Sequence, residues 1–396
     1  MSQVYGEGPS NADESPLRIV ADANIPGLDT TFAQHGSVTR LNGRNLTSAD
    51  LRTADILLVR SVTRVDARLL DDTPVRFVAS ATIGTDHLDR DWLDRNGVTW
   101  IHAPGCNADA AAQYSVAMLL LSARRLGFEL SQKTLGVVGH GNVGSRVGYL
   151  LNALGIESVR IYDPPLAEAG QSEFCSMDEI SRCDIISLHV PLTRSGRWPT
   201  FHLIDRDFLR RLPAGALLVN SSRGDVVHGE ALLRWLRAGK GHAALDVWPG
   251  EPRPDPELIR AATVATPHVA GYSLDGKYRG TLCIYAAFRE WLGKDPAAPE
   301  LLRTLPPRHL PEATRTAADA ILAACPVEQD DAAMRRLTEA TATEIGTGFD
   351  ALRAGYAPRR DFAGWQVPTE LPQNLKNQLR ALRFDTDFID LTPKTG

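Results

Sequence analysis

Cysteine is scarce in this sequence: five in 396 residues, at positions 106, 175, 183, 283 and 325. The number is odd and no pair has CxxC spacing, so neither a disulfide framework nor a zinc cage is expected, and the usage suits a reducing cytoplasm. Long apolar runs are missing too. The longest clean one, 116–121, is far below the ~18 residues of a membrane span, so no membrane partner is expected. There is no cationic surplus: 43 Lys and Arg stand against 48 Asp and Glu, a net charge of −5, which makes nucleic acid a poor first choice of partner. The first sixteen residues contain no Lys or Arg and no apolar stretch. They match neither a signal nor a transit peptide and are expected to form a disordered tail.

What is present describes a globular chain. Hydrophobic residues make up 43% and charged residues 23%, near the average for folded domains, and the length suggests two to three domains at about 150 residues each. Short apolar runs at 18–21, 56–59, 77–79 and 98–101 alternate with loops and helix-like stretches. Such runs predict buried parallel strands. A long apolar helix is predicted over 108–126, bounded by Pro104-Gly105 and Gly127, as a crossing element between two domains. The rhythm then restarts, with strands predicted at 135–138, 159–162, 185–188, 216–219, 243–245 and 264–265 and helices at 143–154, 206–212 and 230–238. Alternation of this kind predicts α/β layers around a parallel sheet. Beyond about residue 300, Leu305-Pro306-Pro307 and Pro311 break the chain and alanine-rich helical stretches follow. A smaller third α/β or α+β unit is expected there.

Gly139-His140-Gly141-Asn142-Val143-Gly144 matches GxGxxG. Alone the pattern is weak, since glycine-rich turns are common. Here a predicted strand precedes it, a predicted helix follows it, and Asp163 closes the next strand nineteen residues past Gly144. That constellation is specific for a dinucleotide. The glycines let the backbone approach a pyrophosphate, the helix N-terminus offers N–H groups to it, and Asp163 would accept from a ribose diol and repel a 2′-phosphate. NAD is therefore the expected cofactor. His140 and His189 are expected to line the cofactor groove or to pack, and no histidine shows metal-ligand spacing, so no metal is expected.

Three polar residues follow predicted strand ends: Arg223 after Leu218-Val219-Asn220-Ser221-Ser222, Glu251 in Asp246-Val247-Trp248-Pro249-Gly250-Glu251-Pro252, and His268 in Thr266-Pro267-His268-Val269-Ala270-Gly271. Ligands of open parallel sheets bind at the C-terminal ends of the strands. Oxidising a secondary alcohol by hydride removal needs a base for the hydroxyl proton, and histidine suits that task. A carboxylate on its other nitrogen fixes the tautomer, and an arginine binds a carboxylate or a polarised carbonyl with two parallel bonds. Singly, each residue also has a bland reading: a satisfied core histidine, a solvated loop carboxylate, a turn-capping arginine. Together, on a nucleotide-binding sheet, they point to chemistry.

The order GxGxxG, Asp, Arg-Gly, Asp-Val-x-x-x-Glu-Pro and Pro-His-x-x-Gly resembles the D-isomer-specific 2-hydroxyacid dehydrogenases. Further segments carry the likeness: Val59-Arg60-Ser61-Val62-Thr63, Ala81-Thr82-Ile83-Gly84-Thr85-Asp86-His87, Ala103-Pro104-Gly105-Cys106-Asn107-Ala108 and Asp163-Pro164-Pro165. Gly271-Tyr272-Ser273-Leu274-Asp275-Gly276-Lys277-Tyr278-Arg279-Gly280-Thr281 is the most specific of them and narrows the resemblance to one branch, acting on a small phosphorylated 2-hydroxy acid. The likeness is good over about 17–290 and continues weakly toward Trp365.

The resemblance implies a fold of two doubly wound, Rossmann-like parallel-sheet domains plus a smaller C-terminal α/β dimerisation domain. It implies a catalytic trio of Arg223, Glu251 and His268, and substrate contacts at Ser61, Thr82 and Tyr272. The implied NAD contacts are Gly139, Gly141, Asn142, Val143, Gly144, Asp163, Ser221, Ser222, Arg223, Asp246 and Gly271. Val190 departs from a family threonine at that cofactor position, so only a backbone contact can form there. The substrate's phosphate needs a basic partner, expected among Arg60, Lys277 and Arg279 because they flank these segments.

The expected domains are a substrate-binding domain of 17–108 and 271–300, an NAD-binding domain of 109–270, and a C-terminal unit of 301–396. That last unit carries none of the motifs of the chemistry and is expected to make a homodimer. Two rivals remain open at this point. One is another member of the family, such as a D-3-phosphoglycerate-type dehydrogenase, and the other is a non-catalytic NAD-sensing regulator.

Overall fold

The computed structural model describes residues 16–170, 174–297, 299–339, 341–357 and 359–385; the expected N-terminal tail lies outside them apart from Pro16. The chain divides into two compact units. The first comprises the described residues up to Asn107 together with Ser273–Pro306, and the second comprises Ala108–Tyr272 with the described residues from Pro307 on. The divisions fall at 107/108, 272/273 and 306/307, against expected boundaries at 108/109, 270/271 and 300/301.

The first unit is built on a parallel sheet in the order β2-β1-β3-β4-β5, from β1 (Leu17–Asp22), β2 (Gly36–Leu41), β3 (Ile56–Val59), β4 (Phe77–Ser80) and β5 (Thr99–His102). The central strands β3 and β4 are buried at every residue, as a sheet covered on both faces requires. One face is covered by the returning helix Leu274–Trp291, which brings Ile284, Tyr285, Phe288 and Trp291 against Ile19, Phe32 and Phe77. Two glycines one turn apart set how closely that helix lies. A Cβ at Gly276 would stand 3.0 Å from Cβ of Asn107, and one at Gly280 would stand 2.8 Å from the carbonyl of Ala81. The helix starts cleanly because Ser273 caps it, its Oγ accepting from the Gly276 N–H at 2.9 Å.

The second unit holds a six-stranded parallel sheet in the order β11-β10-β9-β8-β6-β7. Its strands are β6 (Leu135–Val138), β7 (Val159–Tyr162), β8 (Ile185–Leu188), β9 (Ala216–Asn220), β10 (Gly241–Leu245) and β11 (Val264–Ala265). Strand order reverses between β6 and β8, so the crevice above their C-terminal ends is the place where such sheets bind ligands. Among the described residues, no helix is long and apolar enough to cross a membrane.

The C-terminal residues do not stand apart from this sheet. The helix Ala108–Leu126 is buried at fifteen of its nineteen positions, so the sheet can cover only one of its sides. The other side is covered by Leu310, Ala317, Ile321, Phe362, Leu375 and Leu379, which share one core with Leu119, Val137 and Val147. Asp331 adds a polar anchor. It accepts from the N–H of Ala265 on the edge strand β11 at 2.7 Å and pairs with Arg125 at 2.8 Å and Arg335 at 3.0 Å, which closes that edge to further pairing.

Arg359 is a second anchor. It is only 6% exposed, and its guanidinium donates to the carbonyls of Val269 (3.0 Å), Tyr272 (2.7 Å), Ala110 (3.1 Å) and Ala270. Replacing it by Met would leave four carbonyls without that donor in a space water cannot readily enter. Denaturant unfolding of Arg359→Met should show a loss of about 3 kcal/mol or more, since each buried unsatisfied group costs about 1–3 kcal/mol. A loss under about 1 kcal/mol would mean that the carbonyls find other partners.

Candidate active site

The glycine loop leaves β6 at Gly139, whose φ of +91° is a left-handed conformation that only glycine adopts without strain. A Cβ there would also come within 2.7 Å of the His189 carbonyl and 2.9 Å of Val190 Cγ1. At Gly144 a Cβ would stand 1.8 Å from the Gly139 carbonyl, so the helix Asn142–Ala153 packs directly on the strand end. Gly141 differs from both: a Cβ there would meet nothing within 4 Å, which marks the open side of the loop. Gly141 is also the N-cap of the helix and provides no side-chain cap, so the first N–H groups of the helix are available to an anion.

Asp163 reaches this loop from the end of β7. One oxygen accepts from the His140 N–H at 2.7 Å and the other caps the next short helix through the Leu166 N–H at 3.1 Å. Nδ1 of His140 and Nδ1 of His189 are buried without a hydrogen-bond partner. His189 is held neutral, its pKa pushed down to about 3 by burial, and its Nε2 pairs with Ser187 Oγ at 2.8 Å. An open glycine cradle, uncapped helix N–H groups and two orphaned ring nitrogens fit a bound dinucleotide.

At the end of β9, Asn220 shapes the loop that presents Arg223. Its Oδ1 accepts from both N–H and Oγ–H of Ser222, and its Nδ2 donates to the Arg223 carbonyl at 2.9 Å. Ser221 Oγ bonds Ser115 Oγ at 2.7 Å. A Cβ at Gly224 would stand 2.0 Å from the Trp248 carbonyl carbon, so glycine after Arg223 is what lets the loops following β9 and β10 touch.

His268 and Glu251 meet at 2.7 Å, Nδ1 to Oε2, with side chains 29% and 21% exposed. Burial alone would push the Glu251 carboxyl up. The charge of His268, its hydrogen bond, the Trp248 N–H on Oε1 at 2.8 Å and the charge of Arg353 outweigh that and hold the carboxyl below its usual range. His268 itself has φ of +57°, a strained backbone for a residue with a Cβ.

Two buried side chains fix the strained loop. Asp246, expected among the cofactor contacts, is fully buried. One of its oxygens accepts from Thr266 Oγ1 (2.7 Å) and the Val269 N–H (2.9 Å), the other from the Ala270 N–H (2.9 Å). Arg359 takes the carbonyls of the same loop. The backbone before Gly271 is thereby held at the Val269 and Ala270 N–H groups by Asp246, and the carbonyls on both sides of Gly271, those of Val269, Ala270 and Tyr272, are held by Arg359. Sequence reasoning missed Arg359, because no motif links it to a loop some ninety residues earlier.

Arg60, Ser61, Thr82, Lys277 and Arg279 belong to the first unit. Ser61 is exposed. Thr82 Oγ1 bonds Ser80 Oγ at 2.8 Å, and Ser80 in turn bonds His87 Nε2 at 2.9 Å. Nη1 of Arg60 is buried without a partner. Burial, and then the nearby charge of Arg60, lower the Lys277 ammonium from its usual value. The buried Cys106 thiol, pushed up to about 12 by burial, feels the charges of both Arg60 and Arg279. Three cations of that unit therefore lie close together.

The sequence profile of the D-isomer specific 2-hydroxyacid dehydrogenase, NAD binding domain, matches residues 110–270. An erythronate-4-phosphate dehydrogenase of Salinibacter ruber is 47% identical over 369 residues, spanning 89% of this chain and 94% of the relative. The enzyme of that name from Pseudomonas aeruginosa is 45% identical over 377 residues, spanning 92% and 99%. Among solved structures, the TT0316 protein of Thermus thermophilus superposes with a TM-score of 0.61 at 27% identity, covering 72% of this chain and all of its own. A D-lactate dehydrogenase of Aquifex aeolicus, complexed with NAD and lactic acid, gives 0.59 at 24% identity over 70% of this chain and 96% of its own, a likeness of fold alone. The chain belongs to the erythronate-4-phosphate dehydrogenases, a branch of the D-isomer-specific 2-hydroxyacid dehydrogenases, and carries that family's NAD-binding domain.

Proposed function

We infer that this chain oxidises the C2 hydroxyl of 4-phospho-D-erythronate with NAD, giving (R)-3-hydroxy-2-oxo-4-phosphobutanoate, a step of pyridoxine and pyridoxal 5′-phosphate biosynthesis in the cytoplasm. The observation that carries the reading is the 2.7 Å pair of His268 and Glu251 at the C-terminal ends of a dinucleotide-binding sheet, in a chain so similar to enzymes of that name.

His268 takes the hydroxyl proton on Nε2, because Nδ1 is engaged by Glu251. Glu251 fixes the ring and favours its charged form. Arg223 clamps the substrate carboxylate and polarises the forming carbonyl. NAD, when bound, would supply the acceptor for the hydride that leaves C2, so that loss of this hydride and of the hydroxyl proton turns the alcohol into a ketone. The loop Gly139, Gly141, Asn142, Val143 and Gly144 holds the pyrophosphate and Asp163 the ribose, with Val190, Ser221, Ser222 and Gly271 alongside. Asp246 serves through the loop it fixes. Ser61, Thr82 and Tyr272 contact substrate, and Arg60, Lys277 and Arg279 offer charge to its phosphate. Two copies pair through the C-terminal residues.

A substrate panel tests this, followed by the near-ultraviolet absorbance of reduced nicotinamide, in solution or held on the enzyme. It should contain 4-phospho-D-erythronate, D-erythronate, D-3-phosphoglycerate and D-lactate. The first should have the highest kcat/KM, and the same preparation should sediment as a pair of chains. Preference for D-3-phosphoglycerate or D-lactate would assign another family activity. NAD binding without turnover of any substrate would assign a regulator.

A further inference from the structure

The helix Ala342–Ala354 lies in the same unit as His268 and Glu251 and runs past the loop that carries Glu251. Gly346 makes the close approach possible: a Cβ there would stand 3.0 Å from Arg253 Cγ and 3.6 Å from the Pro252 carbonyl. One turn later Phe349 is fully buried in the core that includes Trp248 and Leu258. Four residues after Phe349, Arg353 projects toward the site. Its guanidinium carbon is 5.7 Å from the centroid of the Phe349 ring and 5.8 Å from that of Tyr272. Its Nε–H is buried and has no hydrogen-bond partner.

This arrangement leaves a donor unsatisfied. Contacts with the two ring faces contribute about 0.5–2 kcal/mol but accept no directed hydrogen bond from Nε. Leaving a buried donor of a charged group unpaired costs more than leaving a neutral one. The nearest catalytic carboxylate, Glu251, already receives His268 and the Trp248 N–H. Arg353 does sense that carboxylate, being one of the charges that hold it ionised. What Nε lacks is an acceptor, beside Tyr272 and near the catalytic pair. A bidentate anionic oxygen group meets that need, since guanidinium matches carboxylate and phosphate geometry.

We propose that Arg353 is a specificity-determining residue that binds the phosphate end of the substrate, delivered to the site by the C-terminal segment. The proposal rests on the function inferred above, in which Arg223 takes the carboxylate and the phosphate dianion needs several donors to offset its desolvation. It gives the residues beyond 300 a direct part in substrate choice.

Steady-state kinetics of Arg353→Met and Arg353→Lys test it, with wild type measured first. Arg353→Met should raise KM for 4-phospho-D-erythronate at least about tenfold, the effect of losing one charge-assisted contact, with kcat within about threefold. Its kcat/KM for D-erythronate, which lacks the phosphate and so reports any effect carried through Glu251, should fall several-fold less than that for 4-phospho-D-erythronate, and Arg353→Lys should recover part of the loss. Equal losses on both substrates would show a structural role and overturn the proposal, as would unchanged kinetics in Arg353→Met. Inorganic phosphate gives a readout that needs no turnover: it should raise the Tm of the wild type, and Arg353→Met should lose most of that rise. If wild type does not oxidise 4-phospho-D-erythronate, the inferred function fails, and the phosphate effect on Tm still decides for or against Arg353.

Discussion

Replacing His268 by Asn should lower kcat by about 10²–10⁴-fold, the range for loss of a positioned general base, while NAD binding stays close to wild type. Asn is the better probe than Ala. The backbone at 268 is left-handed, with φ of +57°, and Asn tolerates that conformation better than most residues with a Cβ. The loop should hold, because Asp246 and Arg359 fix its backbone independently of the imidazole. Calorimetric titration with NAD separates loss of the base from loss of the fold. Glu251→Gln should give a smaller fall in kcat, since it removes the charge that favours a protonated ring but keeps a hydrogen-bonding group. The Glu251 carboxyl is lowered on folding. Its contribution to stability is therefore present above the usual glutamate range near 4.5 and fades as pH falls through the lowered value. Near-wild-type turnover in His268→Asn would remove His268 from the mechanism.

Replacing Arg223 by Lys should lower kcat/KM by about 10²–10³-fold, comparable to losing one preorganised donor at a developing charge. Lysine keeps the charge but cannot present two parallel N–H groups to a carboxylate. The loop around Arg223 leaves little room for compensation. Asn220 holds its carbonyl, the Ser222 carbonyl takes Nη1 at 2.9 Å, and Gly224 lies against Trp248. A shorter, flexible ammonium would be placed by none of these contacts. The loss should appear in both kcat and KM for the hydroxy acid, with KM for NAD little changed. An equal rise in KM for NAD would mean that the substitution disturbs the cofactor loop instead.

The inner strands of the second unit were readable as short, mostly apolar runs, as sheets covered on both faces require, whereas the edge strand β7 is interrupted by Arg160 and only half-buried. GxGxxG with Asp163, and Arg223, Glu251 and His268, could be singled out as candidates because each lies in a segment that follows a strand. β2 (Gly36–Leu41) escaped the reading. It is an edge strand whose burial alternates among polar residues, so it shows no apolar run. The helix Leu274–Trp291 was read as a motif, not as an element. Gly276 and Gly280 mark its tight packing, but their partners, Asn107 and Ala81, are far away in sequence.

Asp246 carries the same lesson about roles. Its position after β10 fits a cofactor contact, whereas its buried hydrogen bonds to Thr266, Val269 and Ala270 are visible only in three dimensions. The residues beyond 300 were the least legible. Arg353 and Arg359 stand in no recognisable pattern, yet one reaches the ring of Tyr272 and the other the carbonyls around it. A helix as thoroughly buried as Ala108–Leu126 needs cover on every side, and that demand explains why the C-terminal segment shares a core with the nucleotide sheet.

The central claim is that the hydrogen on C2 of a phosphorylated 2-hydroxy acid leaves as hydride to NAD while His268 removes the hydroxyl proton. It is tested most directly with 4-phospho-D-erythronate deuterated at C2, with the cofactor recovered after turnover and analysed by mass spectrometry and NMR. One deuterium should appear on C4 of the nicotinamide ring for each 2-oxo acid formed, and none there when unlabelled substrate reacts in heavy water. Deuterium released to solvent with the cofactor unlabelled would mean proton abstraction at C2 and would contradict the account.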